Sequence, residues 1–408
     1  MAATLLSHVV SDLCIGKPRV LSLPPSTPVA AALAALRAGA GADPFVFVDA
    51  EPAAACRAKT TTVYVKVSVA DILCYLCGDA GNLSDPAAAL GRPVAVVAAA
   101  VAGVHGVTHR VDPQTRLLDA IDVLLTDGCQ GLLVPLPAAR ARKRHHQAPS
   151  SDAADCCCVL TREDIVRHLF GSISHFAPVA ALTVTSLGLV RRDVHAVHVD
   201  DDGLDVIPLL RRAVSDGTAV AVVADDDCAL VGEICPGVLA SCDVETVSAA
   251  FAALSAADTM AYIDCSLSHS PPEFLVRAIR AQLAGKGLEA MAELMECAGN
   301  DAASIPLSSS SSLSSTSSSD EDSPSLGRAR RPRRMSSGSF GWRSTEDVVA
   351  CHSGSSLVAV MAQALAHRVG YVWVVDETSG ALVGVVRFAD VLAVLREHLL
   401  PQSQVLCR

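Results

Sequence analysis

Near the C-terminal end the apolar positions follow two rhythms. Runs of consecutive or alternating apolar residues ("VVACH", "YVWVVD", "ALVGVV") are interleaved with stretches whose apolar residues recur every three or four positions, from about Ser356 to His367 and again from Ala389. The first rhythm predicts strands and the second predicts helices. With a turn at Ser379-Gly380, the predicted order is β-α-β-β-α.

The same order recurs three times upstream. One copy is "THRVDPQTRLLDAIDVLLTDGCQGLLVPL", continued after a basic loop by "CCCVLTREDIVRHLF". Another is "VHAVHVDDDGLDVIPLLRRAVSDGTAVAVVADDDCALVGEICPGVLA", and the first is "RVLSLPPSTPVAAALAALRAGAGADPFVFVDA" followed after a gap by "TTVYVKVSVADILCYLC". Helical spacing is plain in Leu117, Leu118, Ile121, Leu124 and Leu125. Self-similarity on this scale implies a tandem architecture.

Between the copies the composition changes. Arg140 to Asp155 is polar and reads as a flexible insertion between two strands, while Ile305 to Ser344, rich in serine, acid and arginine, cannot support a packed core. Helical material opened by Pro271-Pro272 separates the third and fourth copies. The expected organisation is a first pair of modules over 12–175 (modules about 16–78 and 93–172), a third module with helical extension over 186–300, a disordered linker over 301–345 and a fourth module over 346–400.

A β-α-β-β-α unit ending in apolar-apolar-Ser/Thr-x-x-Asp resembles the CBS module, named after cystathionine beta-synthase. "SDLCIGKP", the serine-rich stretch and "AHRVGYVWVV" are similar to plant CBSX-type proteins with four such modules. The resemblance implies an α+β fold of tandem CBS modules forming two Bateman-type pairs. It also implies a non-catalytic regulatory protein that binds an adenosine-type ligand (AMP, ATP or S-adenosylmethionine) and modulates a partner, thioredoxin-like or a kinase. Homodimerisation belongs to the same expectation.

In the family the motif aspartate binds ribose hydroxyls and its Ser/Thr lies beside ribose or phosphate. Ser68/Asp71 and Thr161/Asp164 match in full; the fourth copy keeps Asp390 with Arg387 in the Ser/Thr position. The third has Cys235 and Val238 there, with Pro236 between, and its site reads as lost. Read without the resemblance, Thr161-x-x-Asp164 is a helix cap, the hydroxyl accepting a backbone N–H and the acid answering the free donors of the first turn. Both readings use the same atoms. Lys66, His109 and Arg110 are candidates for phosphate contact or plain surface residues.

Composition narrows the partners. Lys and Arg number 32 against 43 Asp and Glu, a net charge of −11, and aromatics make up 3%. Broad attraction to nucleic acid and an aromatic base-stacking platform are both disfavoured. No run approaches the roughly eighteen apolar residues of a membrane span, and the N-terminal stretch, with Asp12, lacks a secretory pattern. A cytoplasmic, or nuclear, location with free thiols is expected for the 15 cysteines. Cys74-x-x-Cys77 lies inside a helix and reads as buried packing, and Cys156, Cys157 and Cys158 alternate faces of a strand, a poor common metal site. No catalytic motif or obligatory cofactor site emerges. Ser336, two residues beyond Arg333-Arg334, is a candidate phosphorylation site whose phosphate would offset local positive charge. The competing reading is a ligand-free interaction scaffold of degenerate modules; a more distant one is a redox-responsive protein.

Overall fold

The computed structural model describes residues 8–38, 45–50, 63–105, 108–126, 129–136, 157–224, 228–268, 271–302 and 348–399. The loop at Arg140 to Asp155 and the linker with Ser336 lie outside them.

The first unit comprises β1 (Ser22–Leu23), α1 (Val29–Ala38), β2 (Phe45–Ala50), β3 (Val63–Ser68) and α2 (Val69–Cys77). After two short helices and α3 (Ala95–His105), the second has β4 (His109–Arg110), α4 (Leu117–Leu124), β5 (Leu132–Pro135), β6 (Cys157–Leu160) and α5 (Arg162–Phe170). The third has β7 (Ala196–His198), α6 (Val206–Asp216), β8 (Val220–Ala224), β9 (Ala229–Ile234) and a single turn Pro236–Leu239. The extension follows as α7 (Val244–Ala253), α8 (Ala256–Ser268), α9 (Glu273–Gly285) and α10 (Glu289–Ala302). The fourth has β10 (Ala350–His352), α11 (Leu357–His367), β11 (Tyr371–Val375), β12 (Leu382–Arg387) and α12 (Phe388–Leu399). Each unit makes one three-stranded sheet, its first strand parallel to the second and the second antiparallel to the third.

The crossover helices carry one buried stripe at i, i+3, i+4 and i+7: Val29, Ala32, Leu33 and Leu36 in α1, Leu117, Ala120, Ile121 and Leu124 in α4, Leu357, Val360, Met361 and Ala364 in α11. That stripe seats the helix on its own sheet. The strands have period two and bury both faces. Phe47 and Tyr64 of the first sheet meet Leu133, Cys157 and Val159 of the second, while Val46, Val48, Val65 and Val67 face helices. Ala219 and Ala221 likewise meet Tyr371, Trp373 and Val385. Cys157 and Cys158 therefore point to opposite sides of β6, in separate cores.

Helices make the other contact, and it joins units of different pairs. One core combines the first and third units with the extension; a second combines the second and fourth. The Cys74 thiol donates to Ile207 O at 3.8 Å, Arg211 Nη2 donates to Cys74 O at 3.3 Å, and the Cys77 thiol donates to Ser248 O at 3.8 Å, so α2 lies on α6 and α7. Across the other core Arg396 Nη2 of α12 donates to Asp122 Oδ2 of α4 at 3.0 Å. Sheet-to-sheet contacts within pairs and helix-to-helix contacts between pairs close the four units into a ring.

The third unit's second helix stops after one turn. Cys235 at its N-cap makes no capping side-chain bond, Pro236 and Gly237 follow, and Asp243 caps α7 soon after by accepting from Glu245 N.

Between the third and fourth sheets the Glu233 carboxylate accepts from Tyr371 Oη at 2.9 Å and Trp373 Nε1 at 2.5 Å, both on Oε2. Burial, more than these donors offset, raises its pKa. A raised carboxylate pKa stabilises the fold only while protonated, so stability is present below the ordinary glutamate pKa and falls as pH rises through the shifted value. Glu233→Gln, which keeps an acceptor without the charge, is predicted to melt at or above wild type at neutral pH, the gap closing as the solution is acidified. Glu233→Leu leaves two buried donors unmet and is predicted to lose about 1–3 kcal/mol in denaturant titration.

Candidate functional site

Strand ends and helix starts place the motif residues. Ser68 closes β3 and caps α2: its hydroxyl accepts from Asp71 N at 3.4 Å, and Asp71 Oδ2 accepts from Ser68 N at 2.8 Å and Oγ at 2.6 Å. Thr161 repeats this at α5, with Asp164 N to Oγ1 at 3.3 Å and Asp164 Oδ2 taking Thr161 N and Oγ1 at 2.7 Å each. Both are reciprocal capping boxes. The motif carboxylates are thus helix-start groups first.

Their surroundings differ. Lys17 Nζ lies 2.7 Å from Asp164 Oδ2. Asp390 is held by Arg191, whose Nε and Nη2 reach Oδ1 at 2.9 and 2.7 Å, and by Arg387, whose Nε reaches Oδ2 at 2.9 Å. Arg387 Nη1 is also 3.8 Å from Asp216, which accepts from His195 Nε2 at 2.9 Å and has its pKa lowered chiefly by that bond. Arg387 is therefore engaged with carboxylates of its own chain.

Ser68 and Asp71 instead border a cavity of ≈ 260 Å³ at the centre of the ring, together with Lys66, Thr218, Arg368 and Tyr371. A second chamber of ≈ 240 Å³ is lined by Thr161, Arg162 and Asp216. Lys66, Gln130, Val214, Gly217 and Gly370 border both, which makes them one cleft. Lys66 Nζ sits 4.5 Å over the Phe45 ring. Arg162 is committed to the α4 C-terminus, donating to Leu124 O at 3.2 Å and Cys129 O at 2.6 Å, and burial lowers its pKa.

Two details distinguish the wall of the central cavity. Thr218 is 5% exposed, yet its Oγ1 has no hydrogen-bond partner among the described residues; a buried hydroxyl left so costs stability unless something else meets it. Arg368 has a left-handed backbone, φ +56°, at the end of α11, where Gly217 stands at φ +69° at the end of α6. A non-glycine residue there carries strain of about 1–2 kcal/mol, and strain of this kind gathers at functional sites.

The thiols give no comparable cluster. Cys74 and Cys77 are buried, and burial pushes both thiols up, that of Cys77 to about 12. Among the described residues no three His, Cys, Asp or Glu side chains gather as a metal site, and no helix is long and apolar enough to cross a membrane.

Comparison with known proteins decides the family. The CBS domain model matches residues 343–397. The Arabidopsis thaliana CBS domain-containing protein CBSX5 is 37% identical over 98% of this chain and 99% of its own length, and CBSX6 of the same plant is 25% identical over 98% and 95%. The chain belongs to the CBS domain-containing protein family, of the CBSX type. Its four units are CBS modules in two Bateman-type pairs. A solved structure from Methanocaldococcus jannaschii, described as an archaeal homologue of g-AMPK, shares the fold with a TM-score of 0.51, at 14% identity and covering 95% of this chain and all of that one.

Within this CBS ring, the sequence-derived residues Ser68, Asp71, Thr161 and Lys66 border the central cleft, whereas Asp164, Asp390 and Arg387 lie in ion pairs. His109 and Arg110 are exposed on β4. Sequence reasoning missed Lys17, Arg191, Thr218 and Arg368. Lys17 and Arg368 stood inside the stretches that carried the family resemblance, "SDLCIGKP" and "AHRVGYVWVV", but only the folded chain shows what they face. Arg368→Gly is predicted to raise stability by up to about 1 kcal/mol and the β-branched Arg368→Val to lower it, measured by denaturant titration; a loss with glycine would contradict the strain.

Proposed function

We propose that this CBS protein is a non-catalytic regulator that binds one adenosine-type ligand in the central cleft at Ser68 and Asp71 and thereby changes its grip on a partner protein. The observation that carries the reading is the buried Thr218 hydroxyl, with no hydrogen-bond partner among the described residues, beside Asp71, Lys66 and Arg368 around a single cavity. A carboxylate accepts two ribose hydroxyls, and a helix start with lysine and arginine nearby suits phosphate. The cavity wall draws on all four modules, Gln130 being the second module's share, so one ligand would touch both pairs. Regulation then requires that it favour one arrangement of the pairs over another, since equal affinity shifts nothing.

A second reading has its own support. The third motif holds Cys235 and Val238, and the second and fourth carboxylates are ion-paired, which favours a scaffold that has shed most of its ligand sites.

Calorimetric titration of AMP, ADP, ATP and S-adenosylmethionine into the full chain separates the two. Saturable binding is expected for at least one, weakened about tenfold or more, roughly 1.4 kcal/mol, by Asp71→Asn, which keeps a capping oxygen but loses the charge. Absence of binding by all four, or an unaffected variant, would overturn the assignment and leave the scaffold.

A further inference from the structure

The two motif aspartates of the even-numbered modules are held by cations from equivalent places in the chain. Lys17 lies five positions before β1, and Arg191 five positions before β7. Each comes from the segment leading into the odd-numbered module of a pair and lands on the aspartate at the third helical position of the even-numbered one.

The segments are fastened alike. Val20 N donates to Cys157 O of β6 at 3.0 Å, and Arg191 exchanges two 2.9 Å backbone bonds with Val385 of β12. Upstream of Lys17, Val10 N donates to Thr115 O and Ser11 N to Pro113 O, both at 2.9 Å, so the N-terminal segment is strapped along the second module. On the fourth module the approach is close enough to require glycine: a Cβ on Gly384 would lie 2.4 Å from Arg191 O. The side chains of Lys17 and Asp164 are each 17% exposed, and that of Asp390 is 8% exposed.

We infer that Lys17 and Arg191 are built-in occupants of the ribose positions at Asp164 and Asp390, and that they decide how many ligands the ring accepts. The inference rests on reading the motif carboxylates as ligand groups. A ribose that took Asp164 Oδ2 would exchange a charge-assisted bond at 2.7 Å for neutral hydroxyl bonds, and would leave an ammonium without its partner. The motif aspartates of the second and fourth modules are thus engaged by the chain itself, and the cleft at Ser68 and Asp71 is the one read as the ligand site.

The test counts sites in the full chain with ATP and AMP as probes, by calorimetry, for wild type and Lys17→Ala, alongside melting of Lys17→Met, Asp164→Asn and the double variant. One equivalent for wild type, a second for Lys17→Ala, and a double variant that melts no lower than Asp164→Asn alone are expected. Two equivalents in wild type, or one in both proteins, would overturn the inference. If neither protein binds a nucleotide, the ligand reading of the motif falls by itself; the melting series still decides the closure, because additive losses would show that Lys17 does not hold Asp164.

Discussion

The seam of helices between the two CBS pairs is the constraint on which the site depends. The helices that begin at the motif residues, α2, α5 and α12, are the ones that cross from pair to pair: α2 against α6 and α7, α5 and α12 within the shared core of the second and fourth modules. Burying those helices brings their N-terminal ends toward one centre. Apolar burial stabilises the seam, at about 25 cal/mol for each Å² removed from water, and polar helix ends are left facing the cleft because they have no place in the seam.

The modules' common order was legible in sequence because a strand with period two and a helix with period near 3.6 are local patterns. Val46, Val48, Val65 and Val67 alternate with Phe47 and Tyr64 as such a strand must, and the α11 stripe runs on from Ser356, its N-cap, as read. Cys74 and Cys77 were legible for the same reason, since an i, i+3 pair inside an apolar helix is a packing pair. The closing of the ring was not. Cys74 meets Ile207, Cys77 meets Ser248 and Asp122 meets Arg396, contacts between residues far apart in the chain that no local period announces.

The site was legible by residue type but not by environment. Ser68/Asp71 and Thr161/Asp164 are the same motif with the same capping geometry, yet one borders the cavity and the other is held by Lys17. The cation on Asp164 is contributed from more than a hundred residues away in sequence. Arg387 shows the converse. It is a substituted position whose consequence, an ion pair with Asp390 in its own helix turn, follows from i, i+3 proximity. Thr218 and Arg368 gave no local signal at all, because an unmet hydroxyl and a left-handed arginine are properties of the folded backbone around them.

The central claim is that one cleft, built from both pairs, is where a ligand acts. Hydrogen–deuterium exchange of the full chain with and without ATP tests it most directly, because amide protection reports opening segment by segment. The account predicts added protection confined to peptides spanning 64–71, 214–219 and 368–372, with the N-terminal strap and the segment around Arg191 unchanged. Protection centred instead on residues 8–20 or on 188–194 would place the ligand against Lys17 or Arg191 and contradict it.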